Sequence, residues 1–216
     1  MCNESIEIIV FHQLGAVAGR EKAIIDDFRW LSIEVVIILE FMDVVNARKS
    51  VRDYADKAIE DEKLSKIFEA ARMAPSWANK QCCQYIVVKN KDKIAELSSF
   101  LNPWLKNSPV VLAACANPKD SGSRNGMDYY LVDVAISLQQ LILAATDLGL
   151  GTCWIGAFDE VKVKKALEIP ENIKVVALTP IGYPAEKESA RSKIAKKFIG
   201  SAKRKPLEEI VHREKW

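Results

Sequence analysis

Apolar and polar positions along this chain repeat in two rhythms, one helical and one strand-like. "IEDEKLSKIFEAARMAP" (59–75) sets Leu64, Ile67, Phe68 and Ala71 at helical spacing behind an acidic first turn, and Pro75 stops the helix. "QYIVV" (84–88) reads as a strand, "KDKIAELSSF" (91–100) as a short helix and "PVVLAACA" (109–116) as a buried strand. "NPKDSGSRNG" (117–126) has the composition of a loop. The longest helical signal is "MDYYLVDVAISLQQLILAATDLGLG" (127–151). Its apolar stripe runs through Leu131, Val134, Ala135, Leu138, Leu141, Ile142, Ala145 and Leu148. Gly149 or Gly151 then fits a left-handed helix end, since glycine accepts positive φ without a Cβ clash. "TCWI" (152–155) follows as a short strand, Asp159 caps a helix over 160–168 that Pro170 ends, and "IKVVALTPIGYP" (173–184) is the last strong strand.

The three glycines of "GLGTCWIGAF" (149–158) invite comparison with a dinucleotide-binding turn. That fingerprint needs G-x-G-x-x-G after a strand and opening a helix. Here the third glycine position holds Trp154, and the glycines close a helix and lead into a strand. The order is reversed, which excludes a Rossmann phosphate loop at this point.

Before residue 42 the pattern changes. Ile24, Phe28, Leu31, Val35, Ile38 and Met42 step like a heptad seam, whereas the β-branched "VVII" also suits a strand. Residues 1–41 read either as a helical arm or as a mis-assigned start preceding a domain over 42–216.

Composition narrows the chemistry. The 216 residues are 49% hydrophobic and 28% charged with a formal net charge of +2, which gives no electrostatic case for nucleic acid or a membrane surface. Charge is uneven: residues 1–41 hold seven acids and three bases, residues 186–216 ten bases and five acids, so the tail can meet a phosphate. The most apolar run, Val35–Leu39, is bounded by Glu34 and Glu40 and falls short of a bilayer span; no other segment reads as one. The acidic start "MCNESIEIIV" lacks the basic beginning of a signal peptide. Five cysteines without a CxxC spacing read as reduced thiols in a cytoplasmic protein. With only His12 and His212, no zinc set or hydrolase triad assembles, and an enzyme of this composition calls for a cofactor to carry the hard chemistry.

Three stretches, "ARKSVRDY" (47–54), "APSWANKQ" (74–81) and "LGLGTCWIGAFDE" (148–160) with "PIGYPAE" (180–186), together resemble the nitroreductase family of flavin enzymes over residues 42 to 212. In "RKSVR", Arg48, Ser50 and Arg52 alternate, so an extended segment turns two guanidiniums and a hydroxyl to one side, as an anionic phosphate requires. The resemblance implies that these residues, with Lys49, hold the phosphate and ribityl chain of FMN. It implies that Pro75, Ser76, Trp77 and Asn79 reach a flavin bound mainly by a second subunit. Ile155, Gly156 and Ala157 would run along the ring, with Lys203 and Arg204 returning to the phosphate. The family pattern P-S-x-x-N-x-Q-P-W departs here, with Cys82 and Cys83 in place of Pro-Trp, and a peroxide-sensing role for that pair stays open. Some members carry glutamate where Gly156 stands.

The implied fold is α+β and three-layered, a mixed but mainly antiparallel sheet between helices, in a homodimer. The implied activity is hydride transfer from NADH or NADPH to FMN and on to a nitroaromatic or quinone acceptor in ping-pong order, with no catalytic side chain of its own. Trp77, Trp104, Tyr129 and Tyr130 are candidate pocket walls. Two alternatives stand beside this: a flavin store or sensor with little turnover, and a narrower flavin chemistry such as dehalogenation or flavin destruction.

Overall fold

The fold is taken from a computed structural model that describes residues 40–187, 189 and 204–216. The chain divides into two compact units, residues 1–43 and 44–216. The seam from Ile24 to Ile38, the "VVIIL" run and Lys203 lie outside the described residues.

Helix α1 covers Phe41–Ala47 and α2 covers Asp61–Arg72, with Asp61 and Glu62 in its first turn and Arg72 in its last. Strand β1, Cys83–Val88, leads through α3, Lys91–Leu97, to β2, Val110–Ala116. Between 117 and 128 the expected loop contains a 3-10 turn, Pro118–Asp120, and a small hairpin pairing β3, Ser123–Arg124, with β4, Met127–Asp128. Its two-residue turn, Asn125–Gly126, has φ of 54° and 76°, the left-handed pair that a tight hairpin demands. Helix α4, Tyr129–Asp147, runs into β5, Gly151–Thr152; α5, Glu160–Leu167, precedes β6, Lys174–Gly182.

The sheet order is β1-β2-β6-β5, with each of these neighbours antiparallel. β2 is buried along its whole length, because helices cover both of its faces. Val110, Leu112, Ala114 and Ala116 pack with Leu64 and Ile67 of α2 and Val134, Leu138 and Leu141 of α4. Val111, Ala113 and Cys115 point the other way, towards Ile94 and Leu97 of α3 and Val163 of α5. Period-two alternation thus divides one strand between two cores. The result is three layers, α+β, with a parallel bridge of Ser50 to Thr152 making the sheet mixed.

Two expectations about α4 need correction. Leu131 is 46% exposed, while Asp133 and Ser137 occupy the buried stripe instead. Ser137 donates to the Ala71 carbonyl at 2.9 Å and shares a 2.7 Å hydrogen bond with Tyr85, which makes a polar residue tolerable there. The helix is also long and apolar enough by composition to cross a membrane, contrary to the reading from the sequence. Seven of its residues are buried, among them the Asp133 carboxylate, and that describes a core helix.

The end of α4 separates the two glycines into different roles. Gly149 has φ +74°; its N–H bonds the Thr146 carbonyl at 3.0 Å and the Leu150 N–H reaches Ala145 at 2.8 Å. This is a Schellman end, and Leu150 closes it by packing in the same core as Ala145. Gly151 instead admits a neighbour, since a Cβ there would sit 2.7 Å from the Val51 side chain.

Gly149→Ala is expected to destabilise the fold by about 1–2 kcal/mol through its left-handed backbone. Gly156→Ala, where an added Cβ meets nothing within 4 Å, should change stability by less than about 0.5 kcal/mol. Urea unfolding of both variants checks the contrast.

Candidate functional site

Residues 50–55 run extended between the ends of two strands. The Val51 N–H donates to the Thr152 carbonyl at 2.8 Å in a parallel pairing with β5. Two residues later the segment changes partner: Ala55 N–H reaches the Tyr183 carbonyl at 2.8 Å, and Ala185 N–H reaches Asp53 at 3.0 Å. Tyr54 bridges Pro184 and donates its hydroxyl to the Val51 carbonyl at 2.7 Å. Arg52 sits between the two pairings, in a small cavity lined by Lys49, Ser50, Asp53, Pro184 and Ala185.

Of the residues in "RKSVR", Lys49, Ser50 and Arg52 line this cavity. Cys153, on the strand end beside this segment, is buried. Burial raises the pKa of its thiol, with Arg52, Ser50 and Arg48 opposing the rise. Lys49 is exposed. The Arg52 Nη1 atom is buried and has no hydrogen-bond partner. An orphaned guanidinium nitrogen is costly unless something accepts from it, and the acceptor that suits two arginines and a serine is an anion such as phosphate.

The stretch after β5 has three characters. Ile155 is spoken for: its side chain is in the core, and its N–H and carbonyl pair with Leu178 at 2.9 and 3.0 Å. It offers a ligand shape but no free amide. Gly156 is exposed with open space where a Cβ would stand, so nothing within the chain demands glycine there. Ala157 is exposed too, and its carbonyl accepts from Asn102 Nδ2 at 3.1 Å. Trp154 is 40% exposed.

The "PSWANKQ" loop is shaped by a carboxylate that the sequence reading did not single out. Asp133, 2% exposed, accepts from the Trp77 N–H at 2.8 Å, the Ser121 hydroxyl at 2.8 Å and the Cys82 thiol at 3.4 Å. Ala78, Asn79 and Gln81 all have positive φ, of 46°, 57° and 53°, a costly conformation for non-glycine residues. Further bonds hold the turn: Gln81 N–H donates to Ser76 Oγ at 2.9 Å, and Gln81 Nε2 donates to the Asn79 carbonyl at 3.2 Å. The Trp77 ring stacks on Tyr129 with centroids 4.0 Å apart and lies over Gly122, where any Cβ would strike the indole. Trp77 and Tyr129 therefore pack the loop. Pro75 and Asn79 are exposed, and Ser76 is half-buried.

Burial, then the neighbouring Cys83 and Asp133, pushes the Cys82 thiol up to about 12, and burial raises Cys83 as well. At both positions burial disfavours the thiolate. The four described cysteines are free thiols. Arg204 is exposed. No group of three or more His, Cys, Asp or Glu able to hold a metal occurs among the described residues.

Comparison with known proteins gives a consistent pattern. Residues 40–216 match a family model described as "Putative TM nitroreductase". A "Putative NADH dehydrogenase/NAD(P)H nitroreductase" of Archaeoglobus fulgidus is 33% identical over 183 residues, covering 82% of this chain and 99% of that protein. An "FMN reductase [NAD(P)H]" of Bacillus subtilis is 28% identical over 74% of this chain and 72% of its own length. Among solved structures, a nitroreductase family protein of Clostridium novyi NT superposes with a TM-score of 0.65 at 43% identity. It covers 68% of this chain and 87% of that one.

The buried acids make stability fall at high pH. Cys82 is raised to about 12, Cys115 to about 11 and Tyr85 to about 12, in each case chiefly by burial. Unfolded thiols ionise near their ordinary value of about 8.5, so above it the native state binds more protons than the unfolded one and loses stability as pH rises towards 11. Urea midpoints at pH 8 and pH 10 should decrease in that order; equal midpoints would contradict the assignment.

Proposed function

The chain belongs to the nitroreductase family, and from that premise we propose an FMN-dependent oxidoreductase that uses NADH or NADPH to reduce a small nitroaromatic or quinone acceptor. The observation that carries the cofactor assignment is the orphaned Arg52 Nη1, on a residue that lines a small cavity together with Lys49 and Ser50. Those donors fit the phosphate of FMN, and Lys49, Arg204 and Lys203 would add charge from the rim and the tail.

FMN, when bound, supplies the two-electron chemistry, which accounts for a site without a catalytic side chain. The chain's own residues bind and position. Arg48 and Arg52 offset phosphate charge with fixed donors, and Ser50 adds a hydroxyl. Gly156 and Ala157 leave the main chain bare, so planar rings can lie close against it. The hydride donor and the acceptor then use one pocket in turn, in ping-pong order, and no separate dinucleotide loop is required.

The exposed Pro75 and Asn79, with the half-buried Ser76 and Trp77, sit on a loop held rigid by Asp133. In this reading a rigid, outward-facing loop serves a second copy of the chain, and the working unit is a homodimer with residues 42–216 as the FMN domain and 1–41 an extension. Free thiols at all four described cysteines agree with a cytoplasmic setting.

Purified protein should be yellow with FMN and should bleach when NADH or NADPH is added without oxygen. A colourless chain that takes up no FMN would sink the proposal, and a yellow one that neither nucleotide bleaches would point to a flavin store. Arg48→Ala combined with Arg52→Ala should weaken FMN binding by roughly a hundredfold, about 3 kcal/mol for two charge-assisted contacts. Fluorescence titration of the apoprotein measures it.

A further inference from the structure

Asn102 is nine-tenths buried, and every polar group it owns is engaged. It lies in the connection between α3 and the 3-10 helix Pro103–Asn107, at 3% exposure. Its Oδ1 accepts from the Ser99 N–H and the Ser99 hydroxyl, both at 2.8 Å. Its N–H reaches the Ser99 carbonyl at 3.1 Å and its carbonyl receives the Leu105 N–H at 3.0 Å. The amide orientation follows from chemistry: the Ser99 N–H only donates, so Oδ1 faces it, and Nδ2 must face the far side. There it donates to the Ala157 carbonyl, 55 residues away, at 3.1 Å.

That carbonyl lies in a short span between two backbone anchors, where the Phe158 side chain also packs against the core. Ile155 is fixed to β6 through Leu178, and Asp159 is fixed as the cap of α5, accepting from the Lys162 N–H at 3.1 Å. Between those anchors Gly156 is exposed with no neighbour near its Cβ position, and Ala157 is exposed. A glycine in open space leaves the peptide planes on either side free to turn. Asn102 restrains the Ala157–Phe158 plane by donating to its carbonyl.

We infer that Asn102 is a positioning residue for the redox pocket, fixing the Ala157–Phe158 peptide plane through the Ala157 carbonyl and with it the path along which the backbone amides at this strand end are presented. The inference rests on the proposed flavin reading, because these amides matter only if a flavin ring lies against them. A carbonyl held by a buried, fully oriented amide costs no reorganisation during hydride transfer, whereas a turning one does.

Three variants of the FMN-loaded full chain test this. Asn102→Asp keeps the acceptor for Ser99 but loses the donor to Ala157. Asn102→Ser keeps a polar atom near Ser99 and is too short to reach Ala157. Ser99→Ala disturbs the same connection while leaving the Ala157 bond intact. The first two should retain FMN yet be reduced by NADH or NADPH about tenfold more slowly, with a shifted flavin spectrum and midpoint potential. Ser99→Ala should match the parent in all three. FMN-loaded Asn102→Asp or Asn102→Ser with the parent's rate, spectrum and potential overturns the inference alone. Loss of FMN in both variants also overturns it, because Asn102 then supports the fold and not the amides. A parent chain that binds no FMN overturns the flavin reading and the inference with it.

Discussion

The site depends on one parallel pairing, the Val51 N–H on the Thr152 carbonyl at 2.8 Å. It places the arginine segment 48–52 alongside the strand that continues into Gly156 and Ala157. On the proposed reading, two parts of the sequence a hundred residues apart thereby become two ends of one site. The pairing has a steric condition, since only a glycine at 151 lets the Val51 side chain approach so closely. A second condition comes from β6, whose end clamps residues 53–55 and leaves Arg52 at the crossing. On the proposed reading, phosphate at one end and ring at the other follow from these two backbone contacts.

The loop 75–81 shows a different constraint. Three non-glycine residues in the left-handed region persist only where the surroundings hold them. Asp133 does so from the second turn of a core helix, through the Trp77 amide, while Ser121 and Cys82 satisfy its other oxygen. Cys82 stands where relatives of the family pattern have proline, and its thiol has become part of this carboxylate's hydrogen bonding.

Periodicity made most of the architecture legible: the helices at 61–72 and 129–147 and the strands at 83–88, 110–116 and 174–182 follow directly from apolar spacing. Buried polar residues were not legible. Asp133 and Ser137 stand at core positions where a pattern of apolar residues predicts none, and their partners Trp77, Ser121 and Tyr85 come from distant parts of the chain. Asn102 is hidden for the same reason, its bond to Ala157 spanning 55 residues. The hairpin at 123–128 did carry a signal, the Asn-Gly dipeptide, which loop composition obscured.

The central claim is that residues 48–52 form a phosphate cradle beside a flavin-facing strand end. Calorimetric titration of the apoprotein with FMN and with riboflavin, which differs from FMN only in lacking the phosphate, tests it most directly. The account predicts that FMN binds far more tightly than riboflavin and that Arg52→Ala erases most of the gap. Equal affinity for the two flavins, or a gap untouched by Arg52→Ala, would contradict it.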